Sequence, residues 1–155
     1  MISIPAWLFN IQFLIGFLAL CLFSYLDYKY SEIENKPILT FLGISLLFMY
    51  ISSSFWVSLT LALFLFVFLY LLWQINAIGG ADLKIMPGII PFLGLNGFVQ
   101  GCVGLWFFII FFGFIGGIYG FIGKYVLKKE KIPFLPAITL TFLVFWLFKM
   151  HVWGI

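Results

Sequence analysis

Charged side chains interrupt this chain in so few places that the interruptions, more than the apolar runs, set what it can fold into. They fall at Asp27 to Lys36, at Asp82 and Lys84, and at Lys124 to Lys131, with Lys149 alone near the far end. Between them the sequence is almost continuously apolar. Of 155 residues, 65% are hydrophobic and 8% charged. A soluble domain carries roughly a quarter charged residues, so a water-facing surface is excluded. The chain reads as an all-α integral membrane protein, because a helix satisfies its own backbone polar groups in hydrocarbon.

A spanning helix needs about 20 apolar residues. The expected bundle has six transmembrane helices, over about 4–26, 37–51, 55–76, 82–96, 101–123 and 132–149. Ser52-Ser53-Ser54 supplies the only polar break between the second and third spans, and Pro37 suits the first turn of the second. The fourth span is short and broken by Pro87, Gly88, Pro91 and Gly94. Irregular backbone at membrane depth is tolerated only where protein or a water-filled cavity surrounds it. The fourth segment is therefore expected inside the bundle. No basic region precedes the first apolar run, so residues 4–26 read as a span and not as a cleaved signal. Residues 1–155 form one expected membrane-embedded domain, with no extramembrane domain.

The lysines carry the topology. With six spans, Lys29, Lys36, Lys84, Lys124, Lys128, Lys129 and Lys131 all fall on one side, and only Lys149 does not. Positive-inside bias places that side in the cytoplasm and both termini outside. The net charge of +3 thus reports topology and gives no sign of a nucleic-acid partner. Cys21 and Cys102 lack the spacing of a zinc site or a disulfide framework and read as small buried thiols. Gly113, Gly116, Gly117, Gly120 and Gly123 recur at helical spacing on the fifth segment, a stripe that lets helix backbones approach closely.

Two acids end spans on the cytoplasmic side. Asp27 closes the first segment, and Asp82, in Gly79-Gly80-Ala81-Asp82-Leu83-Lys84, opens the fourth. An acid at the edge of a bilayer segment is a functional-site hypothesis by default. Two carboxylates a few ångströms apart share a proton. One can then act as base toward water while the other acts as acid toward a carbonyl oxygen. Blander readings stand beside this. Asp82 suits a helix N-terminus, Asp27 suits a solvated loop acid paired with Lys29, and Lys84 suits a topology anchor. Gly79 and Gly80 suit a flexible turn, or a backbone that a substrate strand can approach. Glu32, Glu34 and Glu130 are loop acids that can attract a basic peptide.

These residues carry a family likeness. Asp27, Lys29, Ile33 and Asn35 surround the first acid, and Gly79, Gly80, Asp82 and Lys84 the second. Ile132-Pro133-Phe134-Leu135-Pro136 opens the last span. In these stretches the chain resembles the type IV prepilin peptidases, membrane aspartic proteases with a Gly-x-Gly-Asp motif. It looks most like the small archaeal prepilin and preflagellin peptidases. The resemblance implies that Asp27 and Asp82 are the catalytic pair. It implies an endopeptidase that cuts the basic leader from a pilin- or flagellin-like precursor at the cytoplasmic face, with no metal and no cofactor. Ala81 departs from the second motif glycine; alanine is small but disfavours positive φ. Bacterial members often add a cytoplasmic domain with paired cysteines and methylate the product. None is seen here, so peptidase activity without methyltransferase activity is expected.

Besides that precursor, the expected partner is membrane lipid. Three other readings use the same residues. A presenilin-like protease would cut within a bilayer helix. A small transporter would use the Asp pair to bind a cation or relay protons. A membrane scaffold would need neither acid.

Overall fold

The computed structural model describes residues 6–30, 33–51, 55–75, 78–93, 98–126 and 132–153. Six α-helices run through them: α1 (Ala6–Tyr30), α2 (Asn35–Ile51), α3 (Phe55–Gln74), α4 (Gly80–Ile85), α5 (Phe98–Phe121) and α6 (Leu135–Trp153). α4 passes directly into a 3-10 helix, Met86–Leu93, and α5 into a π turn, Ile122–Val126. Three helical stretches are long and apolar enough to cross a membrane: Ile11–Tyr30, Phe55–Gln74 and Val99–Tyr125. Asn35–Ile51 and Leu135–His151 are apolar but shorter. The Ser52-Ser53-Ser54 break, Gly94 and the lysines at 128, 129 and 131 lie outside the described residues.

The long helices are apolar around their whole circumference, as a membrane span is. Leu14, Leu18 and Leu22 form an exposed row on α1, and Leu63, Val67 and Leu71 another on α3. On the opposite side of α3, Leu61, Leu65 and Leu69 are buried. Cys21 also lies exposed on α1, so it is not the buried thiol the sequence suggested.

α4 gives way to the 3-10 helix where prolines enter the chain, at Pro87 and Pro91. Pro87 and Pro91 have no N–H to donate, and each ring clashes with the carbonyl four residues back. The segment Gly80–Leu93 packs against α1, α2, α3 and α6 and supplies much of the core. Ile85, Met86, Ile89, Ile90 and Phe92 are all at most 1% exposed. Two glycines admit it. A Cβ on Gly16 of α1 would sit 2.8 Å from Phe92 Cβ, and one on Gly88 would sit 2.8 Å from Phe41 Cε1 of α2. Around this centre Phe13 stacks on Phe142 and Trp146, with ring centroids 5.0 and 4.3 Å apart, tying α1 to α6.

Two expectations change. α1 runs on through Asp27 to Tyr30, so Asp27 is a helical residue and not a loop acid. No proline or glycine stops the helix at Leu26, and Lys29 in its last turn suits the negative end of the macrodipole. The glycine stripe of α5 is used on one side. A Cβ on Gly116 or Gly120 would meet the Phe134 ring and one on Gly123 would meet Ile132, whereas one on Gly113 or Gly117 would meet no described atom beyond its own helix backbone within 4 Å.

Candidate active site

Pro136 is the second residue of α6, where its missing N–H costs no hydrogen bond. The Phe134 carbonyl starts the helix by accepting from Ala137 and Ile138 at 2.9 and 3.2 Å. The first N–H groups of a helix have no partner within it, so the Leu135 N–H needs an outside acceptor. It donates to Asp27 Oδ2, N···O 3.4 Å. Asp27 is thereby buried, 9% exposed, with its carboxylate against the N-terminus of α6. One turn further into the bundle Ser24 Oγ and Thr139 Oγ1 lie 2.6 Å apart, and Thr139 Oγ1 reaches the Leu20 carbonyl at 3.2 Å. These polar contacts fix the register of α1 against α6, and with it the depth of Asp27.

Asp82 is held differently. Gly79 is extended (φ −77°, ψ 155°) at the N-cap of α4. Its carbonyl accepts from the Leu83 N–H at 3.3 Å, and its N–H donates to Asp82 Oδ2 at 3.1 Å. The Asp82 carboxylate thus reaches back over the first turn of its own helix, the geometry of a capping-box acid. It is 4% exposed. The carboxylates of Asp27 and Asp82 lie within electrostatic reach of each other. Ala81 sits in the helical first turn, a conformation alanine adopts freely, so its replacement of a glycine introduces no strain.

The remaining sequence candidates take varied places. Lys84 Nζ donates to Asn35 Oδ1 at 2.8 Å, joining the last turn of α4 to the first residue of α2. Lys29 is exposed and lies over the Tyr25 and Tyr30 rings, 5.7 and 5.1 Å from their centroids. Gly80 is exposed in the first turn of α4. Glu34 is exposed and lines a cleft of about 560 Å³ with Leu26, Tyr30, Ile33 and Pro37, beside the α1 turn that bears Asp27. Glu32 and Glu130 lie outside the described residues. Among the described residues no three of His, Cys, Asp and Glu come together as a metal site.

Several contributors had no signal of their own in the sequence. Leu135 acts through its backbone. Ser24 and Thr139 each look like an isolated hydroxyl in an apolar run. The arrangement is two buried carboxylates on separate helices at one end of the bundle, each accepting one backbone N–H. Carboxylates brought within a few ångströms of each other share one proton, and such a pair can orient a water between them.

No curated protein and no solved structure matches this chain. A family model matches residues 14–122, which include both acids and the Gly-Gly-Ala-Asp turn. That match covers more than half of the sequence, and it places the chain in the type IV leader peptidase family.

Proposed function

We propose that this protein is a membrane aspartic endopeptidase whose catalytic pair is Asp27 and Asp82. Its substrate is a pilin- or flagellin-type precursor, cut between a positively charged leader and the hydrophobic helix that follows. The observation that carries this reading is the placement of both acids. They are buried at the same end of the bundle, on different helices, and within electrostatic reach. Asp82 does cap its own helix, which leaves its second oxygen for chemistry, but the bland reading of Asp27 fits less well. Asp27 accepts from the Leu135 N–H and is not a solvated loop acid, while Lys29 lies against tyrosines.

In this mechanism the resting pair carries one proton. The ionised carboxylate takes a proton from a water as that water attacks the scissile carbonyl carbon. The protonated one donates to the carbonyl oxygen, giving a neutral tetrahedral gem-diol. Proton transfer to the leaving nitrogen then breaks the C–N bond and regenerates the pair. As written, the reaction uses no metal and no cofactor. All six apolar segments cross the bilayer, with both chain ends outside, and the acids face the cytoplasm, where a basic leader resides. Glu34, and with it Glu32 and Glu130, attracts that leader. The same reading expects a peptidase without methyltransferase activity. Methylation of the product by pure protein and S-adenosylmethionine would contradict that part.

The test is cleavage of a pilin-type precursor by purified protein in liposomes. Asp27→Asn and Asp82→Asn, made singly, should each lower kcat by about a thousandfold or more, the upper range of what one acid–base group contributes. Cleavage surviving in either variant would end the two-aspartate mechanism. If the wild type cuts no leader, cation-driven uptake that is lost in Asp82→Asn becomes the reading to pursue.

A further inference from the structure

The stretch that carries Asp82 has little local reason to keep its shape. α4 has six residues, and isolated helices shorter than about 12 residues are marginal. Among the described residues, three side-chain hydrogen bonds join the segment to other helices. Ser45 Oγ of α2 donates to the Gly88 carbonyl at 2.7 Å, and Lys149 Nζ of α6 donates to the Leu93 carbonyl at 3.0 Å. Both are buried and both grip main chain. The third, Lys84 to Asn35, is exposed and joins two side chains 49 residues apart.

That third bond joins the helix that bears Asp82 to the first residue of α2, the helix that follows the one bearing Asp27. Asn35 is eight residues after Asp27 and Lys84 is two after Asp82. Residues i and i+2 of a helix do not share a face, so Lys84 does not stand beside the Asp82 carboxyl. What it fixes is the rotation of α4 about its own axis. Asn35 is the first residue of α2, so α4 is referenced to the helix that follows the Asp27 turn. A lysine that serves only as a cytoplasmic anchor needs no such partner, since exposed lysines gain little from being held in one geometry.

We propose that the Lys84–Asn35 bond is a clasp that sets how Asp82 is presented to Asp27, making both residues positioning residues for the cleavage. The clasp rests on the two-aspartate reading. It acts through α4 and touches no reacting atom.

Asn35→Ala removes the acceptor without altering charge or topology. In liposomes, cleavage of a leader peptide by this variant should show kcat lowered by about ten- to a hundredfold, the scale expected for a small misplacement of a catalytic group. KM should stay within about twofold, because the bond contacts no substrate in this reading. Asn35→Asp keeps an acceptor oxygen and should restore most of the rate. The double variant Asn35→Ala/Lys84→Met should be no slower than the worse single one, because one bond is lost only once. Wild-type kcat in Asn35→Ala, losses that multiply in the double variant, or a fall in melting midpoint that parallels the loss of rate would each overturn the proposal.

A readout independent of cleavage separates the two readings. Cysteines at 35 and 84, in a Cys21→Ser/Cys102→Ser background, should be joined by a short bis-maleimide. Failure to join them, with cleavage by the wild type intact, overturns the clasp alone. Joining with no cleavage by the wild type overturns the peptidase reading, and the clasp's catalytic role with it.

Discussion

The segment Gly80–Leu93 ends in two lysine contacts that do opposite things. At the end bearing Asp82, Lys84 is exposed and bonded to a side chain. At the other end, Lys149 is 1% exposed and bonded to the Leu93 carbonyl. Carbonyls at a helix C-terminus lack partners within the helix, and hydrocarbon offers no water to satisfy them. Lys149 supplies the donor. The difference teaches that one residue type serves two purposes in one segment. The far lysine closes the end of a buried helix, and the near one orients a carboxylate. It also explains why Lys149 stands apart from the other lysines in the topology pattern: a buried lysine bonded inside the bundle says nothing about which side is the cytoplasm.

If the two ends divide labour in this way, changes at the near end should read out in rate and changes at the far end in stability. The largest effect belongs to Asp82→Asn. Activity should fall by about a thousandfold or more, while the melting midpoint stays level or rises, because a buried carboxyl is replaced by a neutral amide. A midpoint that falls sharply would mean that the Gly79–Asp82 contact is chiefly structural. The pH profile of kcat/KM sharpens the same point. A pair that works with one shared proton loses its base when both acids are protonated and its acid when both are ionised. The profile should therefore be bell-shaped, with apparent pKa values belonging to the pair. A profile with no acidic limb would leave the pair without a base to lose. Next in size is Lys149→Met, which removes the Lys149 donor from the Leu93 carbonyl and should cost about 1–2 kcal/mol of stability, read as a lower midpoint in detergent. The rate per folded molecule should be unchanged. A tenfold loss of kcat at constant stability would break the division of labour.

The ends of the second and third helices were legible from the sequence; the ends of the first, fifth and sixth lie up to four residues from the expected bounds, and the contacts between helices were not legible. The second and third helices begin and end within about two residues of where Pro37, the serine triplet and the apolar run placed them. α4 starts at Gly80, two residues before Asp82, where the fourth segment was expected to begin. The end of α1 was misplaced because Asp27 is charged. In this bundle, the acid stays in the helix because the N-terminus of α6 meets it there. That meeting depends on a backbone N–H from a residue 108 positions away, which no side-chain pattern reports. Lys149 was legible as an exception but not as a donor, since a long flexible side chain finds its partner only through tertiary packing. The likeness of Ile132-Pro133-Phe134-Leu135-Pro136 to a known motif gave no physical reason for it. The structure supplies one: the prolines and the Phe134 carbonyl place an unpartnered N–H opposite Asp27.

The smallest expected effect lies on the α1–α6 seam, where Ser24 and Thr139 meet at 2.6 Å. Side-chain hydrogen bonds between membrane helices average about 0.6 kcal/mol in double-mutant cycles, so Ser24→Ala should barely move the melting midpoint. Its consequence is positional. Ser24 is one turn before Asp27, and Thr139 is one turn after Leu135, so this pair and the Leu135–Asp27 contact form successive rungs of one seam. Loosening the inner rung lets the outer one lengthen, and that contact is already long at 3.4 Å. Ser24→Ala should therefore lower kcat by a factor of about two to five at nearly constant stability, by the sensitivity of rate to placement. Thr139→Val should do the same, and the double variant no more. Equal losses in rate and midpoint would instead make the seam ordinary packing, and would leave the Lys84–Asn35 contact as the one exposed polar bond that sets the geometry of the pair.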